Sequence, residues 1–170
     1  MQRKWKFQTA MSVHDERLEI GLATVDQIDE IARFISLLLS EEGTPNSDTD
    51  LHKKALLQIN GQPLNGRIVT ATLGNKLVGI ATLHFTISTV TAKRVCYLED
   101  VIVEPRFRSS GIGTKIIEFS FSQAVHDDCY KCSLHVGRLN ERATVLYERL
   151  GFVEQKALLL SKVLSGDLHD

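Results

Sequence analysis

Residues Tyr97–Thr114 read YLEDVIVEPRFRSSGIGT, and the order of residue types in this stretch sets the reading of everything around it. Val101, Ile102 and Val103 are a β-branched apolar run suited to a buried strand, and Pro105 cannot donate to a strand ladder. Arg106 and Arg108 follow, then Ser109, Ser110, Gly111, Ile112, Gly113 and Thr114. Without Cβ atoms, the glycines let backbone N–H groups come close to a ligand. A helix opening here aims its free N–H groups and the positive end of its dipole at a phosphate. The stretch therefore predicts a strand, a turn and a helix start that cradle a diphosphate.

Two other phosphate loops fail on the same residues. The dinucleotide fingerprint G-x-G-x-x-G requires glycine where Ile116 stands and normally follows the first strand of a βαβ unit. The P-loop requires Gly-Lys before Ser or Thr, whereas Gly113 is followed by Thr114 and Lys115.

Arg108 to Gly113 instead form an R-x-x-G-x-G turn behind a strand that ends in Val-Glu-Pro, and Asn140, Ala143, Leu146, Tyr147, Gly151 and Phe152 form N-x-x-A-x-x-L-Y-x-x-x-G-F. Both patterns, at this spacing, resemble the GNAT superfamily of N-acetyltransferases. Around YLEDVIVEPRFRSSGIG and Cys129-Tyr130-Lys131 the chain is locally similar to the glucosamine-6-phosphate N-acetyltransferase group. The resemblance implies an α/β (α+β) single-domain acyl-CoA N-acyltransferase fold. Its sheet would be mixed and mostly antiparallel, with a central parallel pair splayed for coenzyme A and flanking helices. It implies acetyl-CoA as co-substrate and no metal. Backbone N–H groups along Val101, Ile102 and Val103 would meet the pantetheine and the acetyl oxygen. Arg108, Ser109, Ser110, Gly111, Ile112, Gly113 and Thr114 would hold the diphosphate, and Asn140 and Tyr147 would also touch the coenzyme. An amino sugar is the acceptor suggested by the local similarity, and a homodimer is the assembly.

Composition agrees with a small-molecule partner. The chain has 170 residues, 43% apolar and 24% charged, which suits one globular domain with a real core. Twenty basic and 21 acidic residues give a net charge of −1 and are interspersed, so neither a nucleic-acid face nor a membrane-binding polybasic run is expected. No apolar run reaches the roughly 18 residues of a membrane span. Three cysteines cannot pair completely, which fits a reducing compartment, and a cytoplasmic location is expected. Cys129 and Cys132 have C-x-x-C spacing at a strand start, where residues three apart face opposite ways, and they read as structural thiols rather than a metal or redox pair.

In chain order, residues 1–17 read as a polar, partly disordered extension, 18–164 as the catalytic domain and 165–170 as a tail. Leu18–Ala23 is a first strand. Thr24 to Gln27 is a capping box, and Ile28, Ile31, Ile35, Leu38 and Leu39 recur at helical spacing, giving a helix over Val25–Ser40. Leu51, Ala55, Leu56 and Ile59 mark a second helix ending at Gly61. A hairpin follows over Arg67–Leu73, Gly74-Asn75 and Lys76–Ser88, and then a strand over Arg94–Val103. The helix after the glycine turn carries the chain to Lys131–Val136, a strand parallel to Arg94–Val103 that contains His135. Asn140 caps a short helix ending at Gly151, and Phe152–Leu164 is expected to supply a last strand or hairpin.

Acetyl transfer to an amine needs a neutral amine, a polarised carbonyl, alignment and a proton for the departing thiolate. Tyr147 is the candidate acid, since its phenol titrates near 10 and a thiol roughly 1.5 units lower. Taken alone it reads more readily as a packing residue, and its place in the second motif reverses that preference in favour of catalysis. Glu99 and Asp100 are adjacent carboxylates that strand alternation sends to opposite faces. Glu99 is preferred as the base, with Asp100 as alternate or substrate-orienting group. Three functions stay open: acetylation of a small primary amine, acetylation of protein lysines or N-termini, and non-catalytic coenzyme A binding.

Overall fold

The computed structural model describes residues 17–41, 48–62, 64–162 and 164. Of the expected N-terminal extension only Arg17 is among them, and the C-terminal tail lies outside. The described chain divides into two compact units between His135 and Val136.

In the first unit, β1 (Leu18–Leu22), β2 (Gly66–Leu73), β3 (Lys76–Ile87), β4 (Arg94–Val103) and β5 (Cys129–Ser133) make one five-stranded sheet in the order β1-β2-β3-β4-β5. The first three pairings are antiparallel and β4 pairs with β5 in parallel. Leu77 through Leu83 of β3 are buried without interruption. Such continuous burial means that both faces of the central strand are covered, which is why its sequence, LVGIATL, does not alternate.

On one face lie α1 (Ile28–Glu41), entered through a 3-10 turn at Val25–Gln27, and α2 (Thr49–Gly61). Ile28, Ile31, Ala32 and Phe34 of α1 and Leu56 of α2 form one core with Ile68, Leu77, Ile80 and Ile102. The capping box is present: the Thr24 amide donates to Gln27 Oε1 at 3.0 Å. On the other face α3 (Ile112–His126) buries Ile112, Ile116, Ile117, Ser120 and Ala124. Gly79 lets it come close, since a Cβ there would sit 2.8 Å from Ile116 Cδ1 and 3.0 Å from the Ile102 carbonyl oxygen.

The strand expected over Lys131–Val136 forms two residues earlier, as Cys129–Ser133, and leaves His135 beyond its end. Arg94 pairs with Cys129 and Tyr97 with Ser133, so the register of β4 draws the earlier residues into the sheet. His135 instead stacks on Tyr97, with ring centroids 6.1 Å apart.

The second unit contains α4 (Glu141–Arg149). Asn140 is its N-cap, with Oδ1 accepting from the Ala143 amide at 3.1 Å. The last strand or hairpin expected over Phe152–Leu164 is not formed among the described residues. Val153, Leu158, Leu159, Leu160 and Leu164 are exposed, and the consecutive leucines lack the alternation that would give a strand one face to bury. Among the described residues β5 is therefore the outermost strand, and the parallel pair stands at the end of the sheet instead of its centre.

Candidate active site

β4 is irregular at one point. Glu99 pairs with Thr82 and Ile102 with Ile80, so Asp100 and Val101 together stand opposite Ala81. This is a β-bulge, and it is made by Asp100 at φ +48°. Thr82 Oγ1 donates to Asp100 Oδ2 at 2.8 Å, while His84 Nε2 lies 3.6 Å from Glu99 Oε2. Thr82 and His84 are two apart on β3 and share a face, so both carboxylates are drawn to that face. The alternation expected of an unbroken strand fails here because the left-handed residue resets it.

The bulge lies within an opening. β4 and β5 pair only from Arg94 to Tyr97 and end at Tyr97 against Ser133. Past Tyr97 no strand covers the outer edge of β4 among the described residues. The Glu104 amide donates inward to the Val78 carbonyl at 2.9 Å. Alternation then turns the Ile102 amide inward too, and those of Val101 and Val103 outward to the open edge. Ile102 itself is a buried core residue.

The chain leaves that edge into the glycine turn. A 3-10 turn at Pro105–Phe107 ends at Arg108, whose Nε donates to the Val103 carbonyl at 2.9 Å. Ser109 (φ +64°) and Gly111 (φ +86°) both adopt left-handed backbone, and Ser110 Oγ donates to the Phe107 carbonyl at 2.6 Å. Gly111 is the N-cap of α3 and provides no side-chain cap. The first helical bond runs from the Lys115 amide to the Gly111 carbonyl, so the amides of Ile112, Gly113 and Thr114 have no partner within the helix. A Cβ at Gly111 would meet nothing within 4 Å. Free amides, a dipole and open space are what a diphosphate needs, and the residues present fit the phosphate end of acetyl-CoA. Beside the turn, Glu104 is held between Lys76 (3.1 Å) and Arg106 (3.0 Å), which fixes the start of the loop.

The first unit thus brings together Glu99, Asp100, Val101, Val103, Arg108, Ser109, Ser110, Gly111, Ile112, Gly113 and Thr114. Tyr147 and Asn140 belong to the second unit. There Tyr147 packs edge-on against Phe152, with centroids 5.6 Å apart, and burial pushes its phenol pKa up. Thr82 and His84 join the carboxylates unannounced by the sequence. Their roles follow from strand register, and no local motif marks them.

A mixed sheet whose strand has one open edge leading into a bare helix N-terminus is an α/β architecture suited to an extended ligand with an anionic end. The chain belongs to the acetyltransferase (GNAT) family, whose model matches residues 28–152. A thialysine N-ε-acetyltransferase from Mus musculus is 41% identical over 78 residues, which are 46% of this chain and 45% of that protein. N-alpha-acetyltransferase 30 from Homo sapiens is 36% identical over 62 residues, 36% of this chain and 17% of that one. The match thus spans less than half the length of either relative. In fold the chain is similar to a possible acetyltransferase from Clostridium difficile 630, with TM-score 0.78 and 21% identity over 88% of this chain and 99% of that one. It is also similar to glucosamine-6-phosphate N-acetyltransferase from Arabidopsis thaliana, with TM-score 0.68 and 22% identity over 88% of this chain and all (100%) of that one.

Proposed function

We propose that this chain transfers the acetyl group of acetyl-CoA to the primary amine of a small molecule, by direct attack of the amine on the bound thioester. The observation that carries the proposal is the open outer edge of β4 past Tyr97, leading into the uncapped start of α3. Acetyl-CoA, when bound, supplies an activated acyl group. The outward amides of Val101 and Val103 are placed to donate to it, and a donor aimed at developing negative charge is worth about 3–4 kcal/mol of barrier.

Glu99 is the proposed base, half exposed and next to His84. Together they offer a route for the ammonium proton to leave. Asp100, held by Thr82, orients the amine or serves as the alternate base. Tyr147 is the proposed donor to the departing thiolate: a phenol carries its proton at neutral pH, and burial, which pushes its pKa up, makes that donation more uphill and calls for a short hydrogen bond to the sulfur.

For the acceptor, the 41% identity to a thialysine N-ε-acetyltransferase favours a free aminoalkyl compound. The likeness to the amino-sugar enzyme rests on fold alone. Acetylation of protein N-termini is a second reading, favoured by the 36% match to N-alpha-acetyltransferase 30. We also take the protein to be a cytoplasmic homodimer; an odd number of cysteines, which cannot pair completely, is in keeping with the first part of that reading, and size-exclusion chromatography with light scattering checks the second.

Release of coenzyme A thiol from acetyl-CoA across a panel of thialysine, glucosamine 6-phosphate and N-terminal peptides tests the proposal. Turnover with the aminoalkyl compound supports it. Turnover with peptides alone moves the acceptor to protein. Binding of acetyl-CoA without turnover of any amine would leave a coenzyme-binding module, and absence of binding would overturn the site.

A further inference from the structure

Cys96 on β4 and Cys132 on β5 are direct partners in the parallel register, and their sulfurs lie 3.6 Å apart. None of the three cysteines is in a disulfide. Neighbouring strands run about 4.8 Å apart, within the roughly 4.4–6.8 Å Cα separation that a disulfide spans. Rotation of the two side chains is then enough to join them, with the sheet left in place. The two residues differ in exposure, since Cys96 is fully buried and Cys132, on the outermost strand of the described sheet, is half-buried.

We propose that Cys132 is a thiol-modification site that reacts with low-molecular-weight disulfides, and that Cys96 resolves the adduct into a reversible Cys96–Cys132 disulfide. The Cys132 thiolate attacks one sulfur of glutathione disulfide, which breaks the S–S bond and releases one glutathione. The Cys96 thiol then gives up its proton and attacks Cys132 Sγ, releasing the second glutathione. Both departing thiolates take up the protons that the cysteines lost. Two protein thiols are oxidised to one disulfide, and one glutathione disulfide is reduced to two thiols.

The order of attack follows from the surroundings of each sulfur. The contact between the two thiols pulls the Cys132 pKa down and pushes that of Cys96 up. Burial, with Asp127 nearby, pushes Cys129 up. Cys132 is therefore the readier nucleophile, and it has a resolving thiol within reach. The cross-link would lie one residue before Tyr97 and Ser133, the pair after which β4 and β5 part.

The test is to incubate the full chain with glutathione disulfide, quench in acid, alkylate the remaining thiols and map peptides by mass. The expected result is loss of two hydrogens, a cross-linked Cys96–Cys132 peptide pair, one alkylated residue at Cys129, and reversal by dithiothreitol. Cys96→Ser should trap one glutathione on Cys132. Because that variant could fold poorly, limiting iodoacetamide on the wild-type chain gives a second measure, and Cys132 should be alkylated before Cys129 and Cys96. A glutathione adduct confined to Cys129, a Cys129–Cys132 cross-link, or three unreacted thiols in the folded chain would overturn the proposal.

Discussion

Thr82 Oγ1 donates to Asp100 Oδ2 across 2.8 Å, and this bond pins the one left-handed residue of β4, which lies in the stretch past Tyr97 where the outer edge is open. Thr82 is fully buried, so the bond has little competition from water. Thr82→Val should leave the carboxylate without its donor and lower stability by about 1–3 kcal/mol, with acetyl-CoA turnover falling in parallel. Asp100→Asn keeps an acceptor and tolerates positive φ, and should stay close to wild type in denaturant titrations. Equal stability of Thr82→Val and wild type would show that the bulge does not depend on this bond.

Gly79 couples α3 to β4. In Gly79→Ala the new methyl meets Ile116 Cδ1 and the Ile102 carbonyl, and overpacking of this kind lowers stability by about 1–3 kcal/mol. Ile116→Val should relieve part of that loss in the double variant, giving a non-additive cycle by thermal or urea unfolding. Strict additivity would mean that the backbone contact alone carries the penalty.

At Gly111 the physics differs, because the space around it is open and only φ is demanding. Gly111→Ala should lower stability by about 1–2 kcal/mol through the left-handed backbone. Gly111→Val puts bulk into the diphosphate space and should weaken coenzyme A binding, measured calorimetrically, at least on the order of tenfold (about 1.4 kcal/mol). Unchanged affinity in both variants would separate the turn from the ligand.

The raised pKa of Tyr147 predicts a pH effect with a definite sign. Burial favours the neutral phenol in the folded chain. As pH rises past about 10, the unfolded phenol ionises first while the folded one holds its proton. Stability is therefore fully present below that pH and falls between the unfolded and folded pKa values. Tyr147→Phe should lack this alkaline fall and, in the proposed reaction, lower kcat far more than it raises the KM for acetyl-CoA. Wild-type turnover by the phenylalanine variant would remove Tyr147 from the chemistry.

Glu99→Gln should abolish the acidic limb of the pH–rate profile. His84→Gln should shift that limb without removing it, because His84 acts through Glu99. An acidic limb that survives in Glu99→Gln transfers the base to Asp100 or to water.

Much of this was readable from residue order. Thr24 and Gln27, Gly74-Asn75, Pro105, Gly111 and Asn140 are local signals, and each marks a helix start, turn or strand stop that the structure contains. The misreadings lie where partners decide the outcome. Residue order alone puts the strand with His135 two residues late, because only β4 sets where β5 begins. Phe152–Leu164 looked like a strand from its apolar content, yet its leucines are exposed and no ladder forms among the described residues. Glu99 and Asp100 were assigned opposite faces by an alternation that one left-handed residue cancels.

Residue order alone establishes the elements from β1 to α4 and the turn that opens α3, because caps, glycines and prolines act on their immediate neighbours. Only the tertiary structure decided that β4 bulges at Asp100, that His84 stands beside Glu99, that Cys96 meets Cys132, and that β4 and β5 separate after Tyr97. Those facts depend on the register between strands distant in the chain, which is set by packing on both faces of the sheet and leaves no mark in any short stretch of residues.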